Sequence, residues 1–423
     1  MLLGTSPPAL RMIRALAPLL PRRAAESIQG RLAATAGWLT WSPPRTGPLV
    51  WVHAASVGEA LTALPIMSRL RAGRPAIVTI LTFTSPSVAH WPGPLGTDRT
   101  GYLPPDDHST MDALFRHLEP AALLFARGDL WPGLVAAGQR HGIPVLLVGG
   151  AVRPNSARLL SAARVALRRT YAAVRWAGAV SVADAERLCR LGVSAAATQV
   201  TGDPRHDQII ERPVSLSPGR DILSWAGPDP VMVAGSTHPE DERFLLDGLR
   251  EVLRSSPGAR LVLVPHAPRR LEVERLAASA RASGLTSATL GAGAPGDARL
   301  LIGSGVGVLA DLYVAATCAY VGGGFGRAGL HAVVEPAAFG IPVMFGQRDA
   351  RLTADAAALV ISGGGVAVSR RKAAATIAAQ WLRWLQDRDG VRQSGLAARA
   401  TLQSGASDVS ARAIRALLPA QAG

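Results

Sequence analysis

Short runs of Val, Ile, Leu and Ala recur along the chain, each followed by a stretch in which apolar residues return at helical spacing. Leu49 to His53, Ala76 to Leu81, Ala121 to Phe125, Pro144 to Val148, Ala179 to Val182 and Gln199 to Thr201 form the first series. Most of these runs are apolar throughout instead of alternating, which predicts parallel strands covered by helices on both faces. A second series follows at Pro230 to Ala234, Arg260 to Val264, Leu300 to Ile302, Ala319 to Val321 and Pro342 to Phe345. Between them Asp203 to Arg220 is rich in Pro, Asp, Arg and Ser and lacks sustained apolar periodicity, as expected of an interdomain linker. Ala373 to Leu418, rich in Ala, Arg and Leu, predicts helices that pack back across both domains. The resulting division is a basic N-terminal segment over 1–34, a Rossmann-like domain over 35–207, a linker over 208–221 and a second Rossmann-like domain over 222–423. Ligands of open α/β sheets bind beyond the carboxyl ends of the strands, so residues just after predicted strands point to a cleft between two facing domains.

With 423 residues and 48% hydrophobic content the chain is long enough for two cores. Cys189 and Cys318 have no partner spacing for a disulfide framework or structural zinc, which fits a reducing compartment. The net charge is +15, and Lys372 is the single lysine among 45 basic residues, so the excess is arginine. Arginine suits phosphate, and the excess permits an anionic partner without identifying one. No apolar run is long enough to span a membrane. Leu10, Ile13, Leu16, Ala17 and Leu20 recur at helical spacing, with Arg11, Arg14, Arg22 and Arg23 around them. Two readings stay open: an interfacial helix on an anionic membrane, and an amphipathic helix packed on the protein's own surface. Pro18 and Pro21 interrupt the run, against a secretory signal.

Two Gly-containing turns carry candidate chemistry. Ser56-Val57-Gly58-Glu59 follows the first strand, with His53 nearby. Glu59 there is placed to deprotonate a hydroxyl, and equally to complement a helix dipole from its first turn. Gly322-Gly323-Gly324-Phe325-Gly326 follows a strand of the second series and precedes His331 and Glu335. Such glycines let backbone N–H groups approach a phosphate, and a following carboxylate accepts two hydroxyl donors; a purely structural βαβ crossover would show the same turn. Gly235-Ser236-Thr237-His238 ends a further strand with groups that suit phosphate, and Val264-Pro265-His266 ends the next and points into the same cleft, although His266 taken alone reads as structural. Glu240, Asp241 and Glu242 read as helix N-terminal charge.

In order along the chain, several segments together resemble the 3-deoxy-D-manno-octulosonate (Kdo) transferases of lipopolysaccharide biosynthesis. They are Trp51 to Glu59, Thr82-Phe83-Thr84-Ser85, Tyr102 to Asp106, Asp129-Leu130-Trp131-Pro132, Val200 to Asp207, Ser236-Thr237-His238, the Gly322 to Gly326 turn, His331, and Glu335 to Ala338. The resemblance implies the GT-B type, two Rossmann-like domains, with the acceptor on the first and the CMP-sugar on the second. It implies inverting transfer of Kdo from CMP-Kdo to a lipid A precursor, with Glu59 as general base and no metal or other cofactor. Ser56, Gly58, Thr82, Thr84 and Asp129 would bind the acceptor. Arg205, Ser236, Thr237, His238, His266, Gly323, Gly324, His331 and Glu335 would bind the donor. The protein would sit peripherally or monotopically on the cytoplasmic face of the inner membrane.

The chain departs from the family pattern at defined places. Arg127-Gly128-Asp129 stands for the usual Glu-Thr-Glu, His266-Ala267-Pro268 for Arg-His-Pro, Val306-Gly307-Val308 for Met-Gly-Glu, and Ala332 for Asn. Two alternatives remain on the sequence: another GT-B enzyme with a different nucleotide sugar or lipid acceptor, and a catalytically weak or silent lipid-binding homologue. Specific nucleic-acid binding is not supported, because aromatics are only 5% and arginine is spread along the chain.

Overall fold

The computed structural model describes residues 20–91, 93–212, 222–292, 296–305, 307–326, 329–347 and 353–420. The basic N-terminal segment up to residue 19, Val306, and the linker from 213 to 221 lie outside the described residues. The chain forms two units, Met1–Gln208 with Gln403–Gly423, and Ile209–Leu402.

The first unit holds a seven-stranded sheet of β1 (Leu49–His53), β2 (Val78–Phe83), β3 (Arg99–Tyr102), β4 (Ala122–Ala126), β5 (Val145–Gly150), β6 (Val174–Ala179) and β7 (Thr198–Val200). Its order is β3-β2-β1-β4-β5-β6-β7, with every neighbouring pair parallel. β1, β2, β4 and β5 are buried at each position, which is why they read as continuous apolar runs. Alternate residues feed two cores: Trp51, Ile80 and Phe125 on one face, Val52, Leu81 and Leu124 on the other. Each such side chain contributes about 1.5–3 kcal/mol on full burial, so the strand ends are firmly held relative to the turns that follow. The order reverses between β1 and β4, and the turns after these two strands therefore leave the sheet side by side.

The second unit repeats the plan with β8 (Val231–Thr237), β9 (Arg260–Pro265), β10 (Ser287–Thr289), β11 (Leu300–Ile302), β12 (Cys318–Val321), β13 (Val343–Gly346) and β14 (Gly365–Val368). The order is β10-β11-β9-β8-β12-β13-β14, again parallel throughout. Here the switch lies between β8 and β12. Both units are Rossmann-like.

Three expectations are corrected. Residues 22–34 do not form a separate segment: helix Arg22–Thr40 packs on the first unit, where Trp38 is buried and donates its Nε1–H to the Tyr102 carbonyl at 2.9 Å. Arg31 in the same helix donates to the Leu103 and Pro104 carbonyls at 3.0 and 3.1 Å. Asp203 to Glu211 does not open a linker, because Pro204–Glu211 is a helix with His206 and Asp207 buried. Residues 403–420 belong to the first unit and not the second: helix Ala406–Leu417 sends Ala411 and Ile414 into the core beside Ala63 and Met67. Asp207 fixes that return by accepting the N–H groups of Gly405 and Ser407, both at 2.7 Å.

Candidate active site

At the switch point of the first unit, β1 ends at His53 and helix Val57–Gly73 begins after Ser56. Ser56 is extended and its hydroxyl makes no capping bond; Glu59, in the first turn, reaches back instead and accepts the Ala55 N–H. Burial pushes the Glu59 carboxyl up to about 7 and the Asp129 charge adds to it, while the Ala55 N–H, the Arg127 guanidinium and the Ser56 N–H oppose. A carboxyl tuned there exchanges a proton near neutral pH, as a general base must. Gly58 is exposed, with open space where a side chain would project.

The neighbouring turn follows β4. Arg127 and Gly128 take φ of 71° and 133°, a reversal pinned by Arg127 donating its N–H to the Val148 carbonyl at 2.9 Å and accepting from Ala151 at 3.0 Å. Asp129 follows, half-buried. The Arg127 guanidinium donates to Asp203 at 2.8 Å, and Arg205 donates to the same oxygen at 2.6 and 3.0 Å. Burial alone would raise Asp203, but Arg205 and Arg127 outweigh it and hold the carboxyl well below the usual range. The reversed charge at residue 127 thus serves an ion pair within the first unit. His53 is buried between Phe125 and Trp131, and its Nδ1 lies 3.0 Å from the Thr82 hydroxyl. Burial, and then Arg31, bring His53 down to about 3, so it is neutral at physiological pH.

In the second unit the switch-point turns are those after β8 and β12. Asp241 joins them: its Oδ2 accepts the N–H groups of His238 and Gly323, both at 2.9 Å, and its Oδ1 accepts the Tyr320 hydroxyl at 2.8 Å. A Cβ at Gly322 would fall 2.4 Å from the Ser236 carbonyl, and one at Gly324 2.6 Å from the Gly346 backbone, so the two turns can approach only as glycine. Ser236 takes φ of 52° to make the turn. The rings of His238, His266 and His331 stack here, with Nε2 of His238 and His331 3.0 Å apart. Burial lowers His331 to about 4, with His266 and His238 adding to the effect. Glu335 lies on the following helix Val334–Ala338; burial raises its carboxyl and Arg212 opposes.

A family profile described as 3-deoxy-D-manno-octulosonic-acid transferase (kdotransferase) matches residues 26–208. A 3-deoxy-D-manno-octulosonic acid transferase of Chlamydophila psittaci is 32% identical over 313 residues, covering 72% of this chain and 70% of that protein. The chain belongs to the Kdo transferase family. A second member, from Bordetella pertussis, is 32% identical over 334 residues, covering 73% of this chain and 76% of that one. Among solved structures, a UDP-GlcNAc 2-epimerase from Neisseria meningitidis bound to UDP-GlcNAc matches with a TM-score of 0.60 at 14% identity over 87% of this chain and all of that one. MurG of Acinetobacter baumannii matches at 0.51 and 15%, over 87% and 99%. At such identity the likeness carries the fold alone, and the fold class is GT-B.

For this Kdo transferase family member the residues expected on the first unit divide. Glu59, Ser56, Gly58 and Asp129 gather at the switch point on the turns after β1 and β4. Thr84 stands next to them, its hydroxyl donating to the Ala55 carbonyl at 3.3 Å. Thr82 is fully buried instead, and its hydroxyl accepts the Trp51 Nε1–H at 2.9 Å, because it faces the core from within β2. Arg205 belongs to the first unit, bound to Asp203. In the second unit Ser236, His238, His266, Gly323, Gly324 and His331 meet around the Gly turn, whereas the Thr237 side chain is buried. Asp241 is the residue sequence reasoning undervalued. The signal was present as the capping position three residues after His238, and what it lacked was the distant Gly323 and Tyr320.

Proposed function

We propose that the chain transfers Kdo from CMP-Kdo to a hydroxyl of a phosphorylated lipid A precursor, inverting the anomeric centre and using no metal. The observation that carries this reading is Glu59: a carboxyl in a helix first turn at the sheet's switch point, raised to about 7. As base it takes the proton from the acceptor hydroxyl while that oxygen bonds to the anomeric carbon of Kdo. The bond from that carbon to the phosphate oxygen breaks, and CMP departs with the electron pair. Leaving CMP is already a stable anion, so the N–H groups of Gly324 and Phe325 in the Gly turn, with the nearby histidines, suffice to stabilise it. Glu335 accepts hydroxyls of the ribose. Ser56, Gly58, Thr84 and Asp129 contact the acceptor sugar.

The acceptor is a membrane lipid, which places the protein peripherally or monotopically on the cytoplasmic face of the inner membrane. Exposed Arg22 and Arg23, with Arg11 and Arg14 before them, would each contribute about 1 kcal/mol toward an anionic surface. No described helix is long and apolar enough to cross a membrane. The reading is tested by incubating the chain with freshly made CMP-Kdo and a tetraacylated lipid A precursor in EDTA, beside a panel of UDP-sugars and other CMP-sugars. Product from CMP-Kdo alone supports it. Product from another donor, or none where a control transferase works, removes the donor assignment.

A further inference from the structure

Three imidazoles from three separate turns of the second unit meet at one place: His238 after β8, His266 after β9, and His331 after the Gly turn. One ring nitrogen from each lies within 4.8 Å of the others, and this is the one such group of three His, Cys or carboxylate ligands among the described residues. The ring centroids are 4.4 to 5.3 Å apart. We infer that the second unit binds one late first-row divalent cation, of which zinc is the representative, through His238, His266 and His331.

Zinc holds imidazole nitrogens at about 2.0–2.1 Å, and tetrahedral angles then set the nitrogens roughly 3.4 Å from one another. Nε2 of His238 and Nε2 of His331, at 3.0 Å, are already near that spacing. The third nitrogen, that of His266, lies within 4.8 Å of the other two, so it has at most roughly 1.4 Å to close, and it belongs to the exposed member of the three. Two imidazole nitrogens this close share a proton, one donating and one accepting. A cation replaces that proton and takes both lone pairs.

Backbone bonds place the main chain of all three histidines before any ion arrives. His238 donates its N–H to Asp241 at 2.9 Å, His266 donates to the Thr237 carbonyl at 2.9 Å, and His331 donates to the Gly322 carbonyl at 3.3 Å. An all-nitrogen set selects zinc, copper, nickel and cobalt over magnesium and calcium, which require oxygen. Three protein ligands leave one position for water or an anion. The assignment rests on the rings alone and holds whichever donor the second unit takes; because the same histidines face departing CMP in the reading above, a bound cation would compete with the donor.

The test uses the full chain, stripped with chelator and titrated with cobalt(II) while visible d–d bands are recorded, then with zinc in competition. One cobalt per chain is expected, displaced by zinc and not by magnesium. His266→Gln should weaken binding about tenfold or more, and so should His331→Ala, with calorimetric melting run on each variant. Because His266 is exposed, its replacement does not disturb the core, and that variant alone decides the matter if His331→Ala fails to fold. Absence of the bands at millimolar cobalt overturns the inference. So does binding that His266→Gln leaves unchanged, which would put the ion elsewhere, for instance at His108 and His141, whose nitrogens lie 3.3 and 3.4 Å from Asp112 in the first unit.

Discussion

Replacing Glu59 by Gln separates the tuned carboxyl from the fold that tunes it. The amide keeps the shape and can still accept the Ala55 N–H, so the bond that closes the helix start survives. What disappears is the cost of a buried charge. The Glu59 carboxyl is raised from 4.5 to about 7, so the folded protein holds that proton more tightly than the unfolded chain does. Native stability from this group is therefore whole below the usual glutamate range and is lost as pH climbs through about 7. At about 1.4 kcal/mol per pKa unit the ceiling is about 3 kcal/mol, and solvent around the half-buried side chain reduces it to about 1–2 kcal/mol. In a unit of this size each kcal/mol moves the melting temperature by about 2–4 °C. Differential scanning calorimetry of native chain and Glu59→Gln should thus coincide near about pH 4 and diverge by roughly 2–8 °C near about pH 8.5, the variant melting higher. A variant that melts at or below the native chain at both pH values refutes the tuned carboxyl.

Other expectations follow from single contacts. Asp207→Ala strands the N–H groups of Gly405 and Ser407, costs about 1–2 kcal/mol, and speeds proteolysis of helix Ala406–Leu417; an unchanged cleavage rate contradicts it. Gly346→Ala sets a Cβ 2.5 Å from the Gly324 backbone, so the second unit should lose about 1–3 kcal/mol in a urea melt, and no loss would mean the two turns are further apart. Asp203 is held below the usual range, so its stabilisation is present at neutral pH and is lost as pH falls through and below that range. Asp203→Asn should therefore weaken the chain at neutral pH and flatten its acid unfolding, and an unaltered acid limb argues against the ion pair. Zinc bound at the three histidines should slow transfer reversibly, EDTA restoring the rate; full turnover with the site loaded would separate that site from the donor.

The central strands were legible because burial on both faces writes them as unbroken apolar runs: Leu49–His53 and Leu300–Ile302 match the expected bounds. Three of the four edge strands were not, whereas Thr198–Val200 was expected one residue along, at Gln199 to Thr201. Arg99–Tyr102, Ser287–Thr289 and Gly365–Val368 are short, only partly buried and carry no continuous run. β6 was expected at Ala179 to Val182 and lies at Val174–Ala179, since exposed Arg175 and half-buried Trp176 break its apolar signal. Val182 instead opens the next helix after the Ser181 cap. The return of residues 403–420 depends on Asp207, about 200 positions away, and leaves no local trace. At the site, Glu59 and the Gly turn were readable from strand-turn-helix order. The histidine group was readable only in part, because each ring was visible but their meeting is a product of topology. The burial of Thr82 was not legible, because motif position says nothing about which face of a strand a side chain takes.

Kinetics of Kdo transfer to the lipid A precursor in EDTA, by native chain and Glu59→Gln side by side, test the central claim most directly. Turnover by the native chain is expected, with kcat lowered about 10²–10⁴-fold in the variant while its melting temperature is equal or higher. A variant that turns over like the native chain would remove Glu59 as the base.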